Sequence, residues 1–334
     1  MKRADPEALA EAPLDVLVIG GGIYGTMAAR DAALRGLRVG LVERGDFGAS
    51  TSHNSLKIMH GGIRYVQHLD FARLRASARE RAFWQRAAPG LVRPLDFVIP
   101  LFGHGVKGTE AFRAAAAIYN LASAGLRGPD YPGAGVIGAA ETRRRMGELA
   151  PDEPGLTGGG VWHDGQILDV NRLQLAVLEA AAGAGALLAN HVEAEALLAG
   201  SGRIDGARVV DRLGGRTAEV RARVTLLCAG AASAALAQPH LPPGAAARFP
   251  GFARATNIVV DRPADARGVG VVSRSRSDAV VDRGGRMYFF TPWAGKTVIG
   301  THESAPGGAD LPERSEHDVG DFLAELSHAC PRLG

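Results

Sequence analysis

Three closely spaced glycines near the start of the chain restrict what it can fold into. They stand in the spacing G-x-G-x-x-G at positions 20, 22 and 25, between an apolar run at residues 15–19 and residues 23–34, whose composition is typical of a helix. A strand, a tight glycine turn and a helix form the first half of a unit that binds a dinucleotide. The sequence therefore predicts such a unit here.

Each glycine has a separate purpose in a turn of this kind. Gly20 permits the tight turn, Gly22 lets a pyrophosphate approach the backbone, and Gly25 lets the helix pack closely on the strand. The helix N-terminus presents N–H groups and a partial positive charge to the phosphates. A second predicted strand, residues 39–42, ends at Glu43, whose carboxylate can accept hydrogen bonds from ribose hydroxyls. A glycine turn without a ligand is the alternative, and it leaves this order of strand, helix and acid unexplained.

The segment after Glu43 distinguishes NAD from FAD. An NAD enzyme would normally continue with another helix and strand, whereas residues 45–65, GDFGASTSHNSLKIMHGGIRY, are small, polar and glycine-spaced. Such a loop suits an extended path along a long cofactor, with hydroxyls near a pyrophosphate or ribityl chain and glycines against a flat ring. The positions concerned are Ser50, Thr51, Ser52, Ser55, Gly61 and Gly62. An ordinary surface loop is the alternative at this point.

The order S-T-S-x-x-S-x-K-x-x-H-G-G-x-R-Y at residues 50–65 closely resembles FAD-dependent glycerol-3-phosphate dehydrogenases, within the superfamily of D-amino-acid-oxidase-like flavoenzymes. The resemblance covers about residues 15–330. It implies an α/β fold, in which a Rossmann-like FAD-binding domain carries an inserted, mainly antiparallel β substrate domain. It also implies FAD as the cofactor.

The same resemblance implies which residues meet FAD. Val192 would contact the adenine through its backbone, and the turn at Ala229 and Gly230 would close over the cofactor. Lys57 and His60 would stabilise negative charge on the reduced ring, unless they are structural. The full set is Gly20, Gly22, Ile23, Gly25, Glu43, Arg44, Thr51, Ser52, Ser55, Lys57, His60, Gly61, Gly62, Val192, Ala229 and Gly230.

The reaction implied by the resemblance is oxidation of sn-glycerol 3-phosphate to dihydroxyacetone phosphate. A hydride would leave C2 for the flavin, and electrons would then pass to quinone or another acceptor. Arg64 suits the phosphate dianion, because a guanidinium can bind two oxygens at once, and Tyr65 can add a hydroxyl. A structural ion pair is the alternative for Arg64.

One position departs from the family. Its members have a His where this chain has Asn257, and an amide cannot act as a base at neutral pH. Asn257 could therefore only orient a substrate hydroxyl. His302, which follows a V-I-G-T run, is the candidate replacement base.

Composition excludes few classes of protein. The net charge of +3 over 334 residues is too small to indicate a nucleic-acid partner, and the two cysteines, Cys228 and Cys330, indicate neither a disulfide framework nor a metal site. The N-terminus has no signal-peptide pattern, so we expect a cytoplasmic protein, peripheral on the inner membrane face if it meets a membrane. The candidate contact is a helix at residues 110–122, for which internal packing is the alternative. Its relevant side chains are Phe112, Ile118, Tyr119 and Leu121, beside Lys107 and Arg113.

The expected domain organisation follows the resemblance. Residues 1–13 form a disordered tail, 14–95 and 155–245 the FAD-binding domain, and 96–154 and 246–310 the substrate domain. Residues 311–334 begin a C-terminal segment, since family members continue with G-V-R-P-L and F-G-G-K-x-T-T segments. Further expected elements are a basic helix at 69–88 whose arginines face solvent, strands at 256–260, 269–272, 279–282, 286–292 and 297–301, and a helix at 315–329.

Three functions stay open at this stage. The first is a glycerol-3-phosphate dehydrogenase. The second is a related flavoenzyme that acts on another hydroxy or amino acid. The third is an inactive flavin-binding fragment, since the resemblance implies further C-terminal residues. An NAD-dependent dehydrogenase fits poorly, because a second mononucleotide half is missing from the pattern.

Overall fold

A computed structural model describes residues 1–105, 108–128, 130–152, 154–200, 202–242, 253–262, 266–273, 286–303 and 316–333. Within these ranges the α-helices are α1 (Pro6–Ala10), α2 (Ile23–Leu34), α3 (Phe71–Ala87), α4 (Thr109–Ala122), α5 (Ala139–Met146), α6 (Val170–Gly183), α7 (Ser233–Ala237) and α8 (Glu316–Ala329). The strands are β1 (Leu14–Ile19), β2 (Val39–Glu43), β3 (Ile58–Met59), β4 (Val92–Phe102), β5 (Gly135–Gly138), β6 (Leu156–Ile167), β7 (Leu187–Asn190), β8 (Val192–Gly200), β9 (Arg203–Asp211), β10 (Thr217–Leu227), β11 (Ala255–Val260), β12 (Gly268–Val272), β13 (Met287–Trp293) and β14 (Lys296–Glu303).

The chain divides into two compact units. Unit one comprises the described residues of Met1–Ser55 and Asp169–Arg254, and unit two those of Leu56–Leu168 and Ala255–Ser304 together with 316–333. This division differs from the predicted boundaries, because residues 56–95 and 155–168 pack with the second unit. The difference has a physical reason: β4 and β6 pair along almost their whole length and cannot belong to separate units.

Unit one is built on a six-stranded sheet in the order β7-β2-β1-β10-β9-β8. The pairs β7–β2, β2–β1 and β1–β10 are parallel, whereas β10, β9 and β8 form an antiparallel meander. Helices α2 and α6 cover one face with small and aliphatic side chains, among them Ala29, Ala33, Leu178 and Ala181. Parallel strands bring their carboxyl ends to one edge, which places the glycine turn after β1 beside the end of β2.

Unit two is built on a second sheet in the order β11-β14-β13-β12-β4-β6-β3, with β5 also paired to β6. Its pairs are antiparallel except β12–β4. One hydrophobic cluster joins the sheet to α3 and α4 through Phe97, Trp162 and Phe112, and another joins it to α8 through Tyr288 and Phe322. The predicted strand at 279–282 lies outside the described residues.

The first thirteen residues are ordered, which corrects the prediction of a disordered tail. Asp5 caps α1 by accepting the N–H of Ala8, and the side chain of Leu9 is fully buried in the core of unit one. The Arg3 guanidinium lies 2.7 Å from the buried carboxylate of Asp211. The polar composition of the segment indicated disorder, but the burial of Leu9 and the ion pair of Arg3 hold it in place.

Two helices of unit two test the surface expectations. On α3 the arginines were expected to face solvent, but Arg81 is only 1% exposed. On α4, Phe112 and Tyr119 are buried, as internal packing requires, while Leu121 is 79% exposed. Lys107 lies outside the described residues. In the part of the chain that the structure describes, no helix is long and apolar enough to cross a lipid bilayer.

Replacement of Leu9 by alanine measures how firmly α1 is held. Removing a fully buried leucine side chain typically costs about 2–5 kcal/mol, so we expect a clear fall in the urea midpoint of unfolding. The matched control is Leu34→Ala at the exposed end of α2, which should change stability by less than about 0.5 kcal/mol. Equal effects of the two substitutions would contradict the packing of α1.

The ion pair of Arg3 predicts a dependence of stability on acid. The hydrogen bond from Arg3, followed by the N–H of Leu213, lowers the pKa of Asp211 to about 2 from its ordinary value of 3.8. A lowered pKa contributes stability above about pH 4 that is lost as the pH falls through about 2. We therefore expect Arg3→Ala to flatten the fall in urea midpoint over that window, and Lys2→Ala to leave it unchanged. Identical profiles for both variants would exclude the pair as its cause.

Candidate functional site

The turn between β1 and α2 leaves no room for side chains at two of its glycines. At Gly20, where φ is +107°, a Cβ would lie 2.5 Å from the carbonyl carbon and oxygen of Cys228. At Gly25 a Cβ would lie 1.9 Å from the carbonyl oxygen of Gly20. The helix therefore touches the turn backbone to backbone, which is the close packing that a dinucleotide turn needs.

The first turn of α2 offers its N–H groups at the same edge. Its N-cap residue, Gly22, makes no side-chain capping bond, and the N–H of Ile23 donates to Ser52 Oγ at 2.9 Å. A Cβ at Gly22 would meet only that hydroxyl, at 3.3 Å. This combination of a helix N-terminus, a glycine without a side chain and a nearby hydroxyl fits the pyrophosphate of a dinucleotide. Thr51 is exposed beside Ser52, and Ser55 is half-buried.

The carboxylate of Glu43 is held in place at the end of β2. It accepts the N–H of Gly21 at 2.7 Å on one oxygen and the N–H of Gly45 at 2.8 Å on the other. Two bonds leave lone pairs on both oxygens, so the group can still accept ribose hydroxyls. Arg44 beside it is exposed.

Two further predicted positions lie in unit one. Val192 is fully buried at the start of β8. Ala229 and Gly230 follow β10, and the N–H of Cys228 donates to Ile19 O at 2.7 Å, which fixes that turn against β1. Nothing lies within 4 Å of a Cβ built on Gly230, so its surface stays open.

Sequence reasoning missed Gln174, which is buried against the same turn. Its amide nitrogen donates to Gly21 O at 2.6 Å, and its side chain lies where a Cβ on Gly48 would stand, 2.2 Å away. Gln174 therefore supports the glycine turn from α6. A signal was available, since a polar residue stands between Leu173 and Val177 on the buried face of that helix.

In unit two, a buried carboxylate holds the turn His60-Gly61-Gly62. Asp164 is 2% exposed and lies 3.0 Å from His60 Nδ1 and 2.6 Å from the Gly61 nitrogen, which donates to it. Trp162 Nε1 donates to it at 3.1 Å. Burial alone would raise the pKa of Asp164, but the hydrogen bonds from His60, Gly61 and Trp162 hold it below its ordinary value. The carboxylate therefore stays ionised inside the unit.

The buried arginine of α3 belongs to the same cluster. Arg81 Nη1 donates to His163 O at 2.6 Å and to the Tyr119 hydroxyl at 3.0 Å, and lies 3.7 Å from Asp164. A Cβ on Gly61 would lie 2.0 Å from that nitrogen. The position of the Arg81 guanidinium therefore excludes any side chain at Gly61, whether or not a ligand binds at this turn. Neither Arg81 nor Asp164 was among the predicted site residues.

Two other predicted residues flank this turn. Gly62 has φ +90° and packs on the backbone of α3, where a Cβ would lie 3.0 Å from Leu74 Cα. Lys57 has φ +62° and is buried, with its ammonium 5.2 Å from the centroid of the Trp293 ring. Burial lowers the pKa of Lys57 below its ordinary value.

Arg64 and Tyr65 lie in a short 3-10 helix, Ile63–His68. Arg64 is exposed, and its guanidinium carbon is 5.9 Å from the Tyr65 ring. Arg73 lies near the same ring, at 5.5 Å. Across the described ranges no carboxylate lies within ion-pair distance of Arg64, so the structural ion pair considered from the sequence is absent there.

The two remaining candidates have different surroundings. Asn257 Oδ1 accepts the hydroxyl of Thr301 at 2.9 Å. His302 is 9% exposed, its ring stacks on Phe322 with centroids 5.2 Å apart, and its Nδ1 lies 3.0 Å from the Tyr288 hydroxyl. This packing beneath α8 gives His302 a place in the core and does not support its expected use as a replacement base.

Within the described residues, no three His, Cys, Asp or Glu side chains are placed to hold a metal ion. The groups that the structure does bring together suit a dinucleotide in unit one. In unit two they form a rigid, charged turn.

Comparison with known proteins supports this interpretation. The family model described as FAD dependent oxidoreductase matches residues 15–334. The chain is 32% identical over 330 residues to a glycerol-3-phosphate dehydrogenase of Synechocystis sp., covering 95% of this chain and 57% of that protein. It is 33% identical over 343 residues to the mitochondrial glycerol-3-phosphate dehydrogenase of Arabidopsis thaliana, covering 96% and 50%. The chain thus spans about half the length of the curated relatives it matches.

A solved structure agrees. The glycerol-3-phosphate dehydrogenase from Bacillus halodurans complexed with FAD superimposes with a TM-score of 0.70 at 25% identity, over 98% of this chain and 55% of that one. The predicted fold class, a Rossmann-like FAD-binding domain with a mainly antiparallel β domain, is confirmed.

Replacement of Gly25 by alanine tests the turn. The new Cβ would overlap the Gly20 carbonyl oxygen, so α2 must move away and the N–H groups meant for the pyrophosphate move with it. We expect FAD binding, followed by the visible absorbance of the bound flavin, to weaken at least about tenfold, equivalent to about 1.4 kcal/mol. Gly183→Ala in α6, where a Cβ meets nothing within 4 Å, is the control. Undiminished flavin in Gly25→Ala would refute the assignment.

Proposed function

The chain belongs to the FAD dependent oxidoreductase family, and from that membership we propose that it oxidises sn-glycerol 3-phosphate to dihydroxyacetone phosphate. The observation that carries this proposal is the 32% identity, over 95% of the chain, to a glycerol-3-phosphate dehydrogenase. The structural likeness to a second such enzyme, over 98% of the chain, supports it.

FAD is the cofactor of the family, and the residues of unit one fit it. We assign the pyrophosphate to the turn at Gly20, Gly22 and Gly25 and to the N–H groups of α2. Glu43 would hold the ribose hydroxyls, since its carboxylate is fixed by two backbone N–H groups and still has lone pairs. When bound, FAD supplies an acceptor for two electrons and a hydrogen.

The remaining cofactor contacts are proposals of the same kind. They are carried from the family pattern to this chain residue by residue, and the open surface at Gly230 supports one of them. The set is Ile23, Arg44, Thr51, Ser52, Ser55, Lys57, His60, Gly61, Gly62, Val192, Ala229 and Gly230.

Arg64 is the residue we assign to the substrate phosphate. It is exposed and makes no ion pair among the described residues, so its guanidinium is available for two phosphate oxygens at once. The Tyr65 ring lies beside it and restricts its motion, and the Tyr65 hydroxyl can add a further hydrogen bond. Charge neutralisation of the dianion and orientation of C2 are the tasks this pair would perform.

Asn257 receives a more limited role. Its amide can orient the substrate hydroxyl by hydrogen bonding but cannot take its proton. Because a different side chain at this place would select a different substrate, Asn257 also supports the second candidate, a flavoenzyme that acts on another hydroxy or amino acid.

The electrons would pass to quinone or another acceptor at the inner, cytoplasmic face of a membrane. The exposed apolar side chains of α4 support a peripheral contact there: Ile118 is partly exposed and Leu121 almost fully. Both lie on the side of the helix that the packing of Phe112 and Tyr119 leaves uncovered.

Anaerobic titration tests the proposed reaction. We expect sn-glycerol 3-phosphate to bleach the yellow flavin, and Arg64→Lys to weaken substrate binding about 10- to 100-fold through loss of a bidentate charged contact. Arg73→Lys, which alters the other guanidinium near Tyr65, is the matched control and should bind substrate normally.

Each other result of this titration has a meaning. Bleaching by a different hydroxy or amino acid, with none by glycerol 3-phosphate, would favour the second candidate. A flavin that no substrate reduces would identify an inactive flavin-binding fragment.

A further inference from the structure

We propose that Asp164 is a positioning residue, which orients His60 so that its Nε2 atom accepts the proton of the substrate hydroxyl. This inference rests on the proposed oxidation, because that reaction requires a proton acceptor. None of the four residues first expected to act on the substrate supplies one.

None of those four residues offers an accessible group that could accept the proton. Asn257 is an amide, and Arg64 and Tyr65 carry groups that donate protons or hydrogen bonds at neutral pH. His302 is packed against Phe322 beneath α8. The proton acceptor must therefore come from another residue.

His60 can accept a proton because its two ring nitrogens have different surroundings. Its side chain is 46% exposed, whereas its Nδ1 lies 3.0 Å from the buried Asp164 Oδ2. A carboxylate only accepts, so Nδ1 carries the hydrogen and the neutral ring keeps its lone pair on Nε2. A carboxylate behind an imidazole fixes the tautomer and stabilises the imidazolium that forms when the outer nitrogen takes a proton.

The carboxylate itself has little freedom to turn. Its Oδ1 accepts the N–H of Gly61 at 2.6 Å and lies 3.7 Å from Arg81 Nη1, while Oδ2 also accepts Trp162 Nε1 at 3.1 Å. Donors therefore hold both oxygens, and one of the donors is the residue next to His60. The turn and the imidazole are positioned by one group.

Lys57, the other basic side chain of this loop, is a poorer candidate. It is buried and its ammonium lies over the Trp293 ring, 5.2 Å from the centroid. Burial lowers the pKa of Lys57, but the same burial keeps its amine away from a substrate that enters from solvent. His60, unlike Lys57, is exposed to solvent.

The proton step balances without a further reactant. The O–H bond of the substrate breaks, its proton binds to His60 Nε2, and its electron pair forms the second bond of the carbonyl group. The hydrogen on the same carbon leaves with the C–H electron pair in the oxidation already proposed. Asp164 balances the positive charge that His60 gains, and the proton returns to solvent through the exposed ring.

The first test observes the tautomer directly. In FAD-loaded protein labelled with ¹⁵N-histidine, two-bond ¹⁵N–¹H correlation spectra distinguish a ring protonated on Nδ1 from one protonated on Nε2, and His60→Gln identifies the His60 signals by their loss. We expect the Nδ1–H form in the native chain and an Nε2–H or mixed form in Asp164→Asn. A native His60 protonated on Nε2, or a form unaltered by Asp164→Asn, would overturn the inference.

The second test compares rates of flavin reduction by sn-glycerol 3-phosphate. We expect His60→Gln to slow reduction about 100-fold or more at saturating substrate, with substrate affinity changed only a few-fold, since general-base groups contribute about 10²–10⁴. Asp164→Asn should slow it at least about tenfold. His104→Gln, which removes an exposed imidazole paired with Glu110 elsewhere in unit two, is the control and should keep the native His60 tautomer and rate.

The two tests separate this inference from the proposed function. A His60→Gln variant that reduces its flavin at the native rate would reject His60 as the proton acceptor. If native protein is not reduced by glycerol 3-phosphate, the proposed function and the proton-transfer step that rests on it both fail. The tautomer spectra then still decide whether Asp164 positions His60.

Discussion

Unit two is organised around the buried carboxylate of Asp164. An ionised carboxylate removed from water is destabilising by several kcal/mol unless donors or an opposite charge surround it. Asp164 accepts hydrogen bonds from the turn at His60 and Gly61 and from Trp162 on its own strand, and the guanidinium of Arg81 on α3 lies 3.7 Å away as an ion-pair partner. Together these contacts offset the burial, and they link a strand, a helix and a glycine turn through one carboxylate.

Local features made much of the fold predictable. Helix α2 begins and ends where the sequence indicated, since the glycine turn precedes it. Asp169 caps α6 by accepting the N–H of Arg172, which is also a contact within a few residues. The strands that border the dinucleotide turn were found for the same reason, because an apolar run between turn residues is a short-range signal. The glycines of that turn could be predicted because the turn and the helix that require them are adjacent in sequence.

What was missed depends on partners distant in sequence. Arg81 looks like a solvent-facing residue of a basic helix, and only a carbonyl 82 residues later and a carboxylate beyond it make it a core residue. The predicted domain boundaries differ from the two compact units for a similar reason, because strand pairing is a long-range property. Leu9 shows the converse case: one buried side chain orders a segment whose average composition indicates disorder.

The sheet order of unit one has a consequence for how the chain is made. Strand β1 lies between β2, which follows it closely in sequence, and β10, which is synthesised about 200 residues later. One edge of β1 therefore lacks its partner until about 200 further residues have been synthesised, and pairing over such separations is slow. The nucleotide turn is therefore completed long after its own residues are translated, so chaperones and proteases can reach it during that interval.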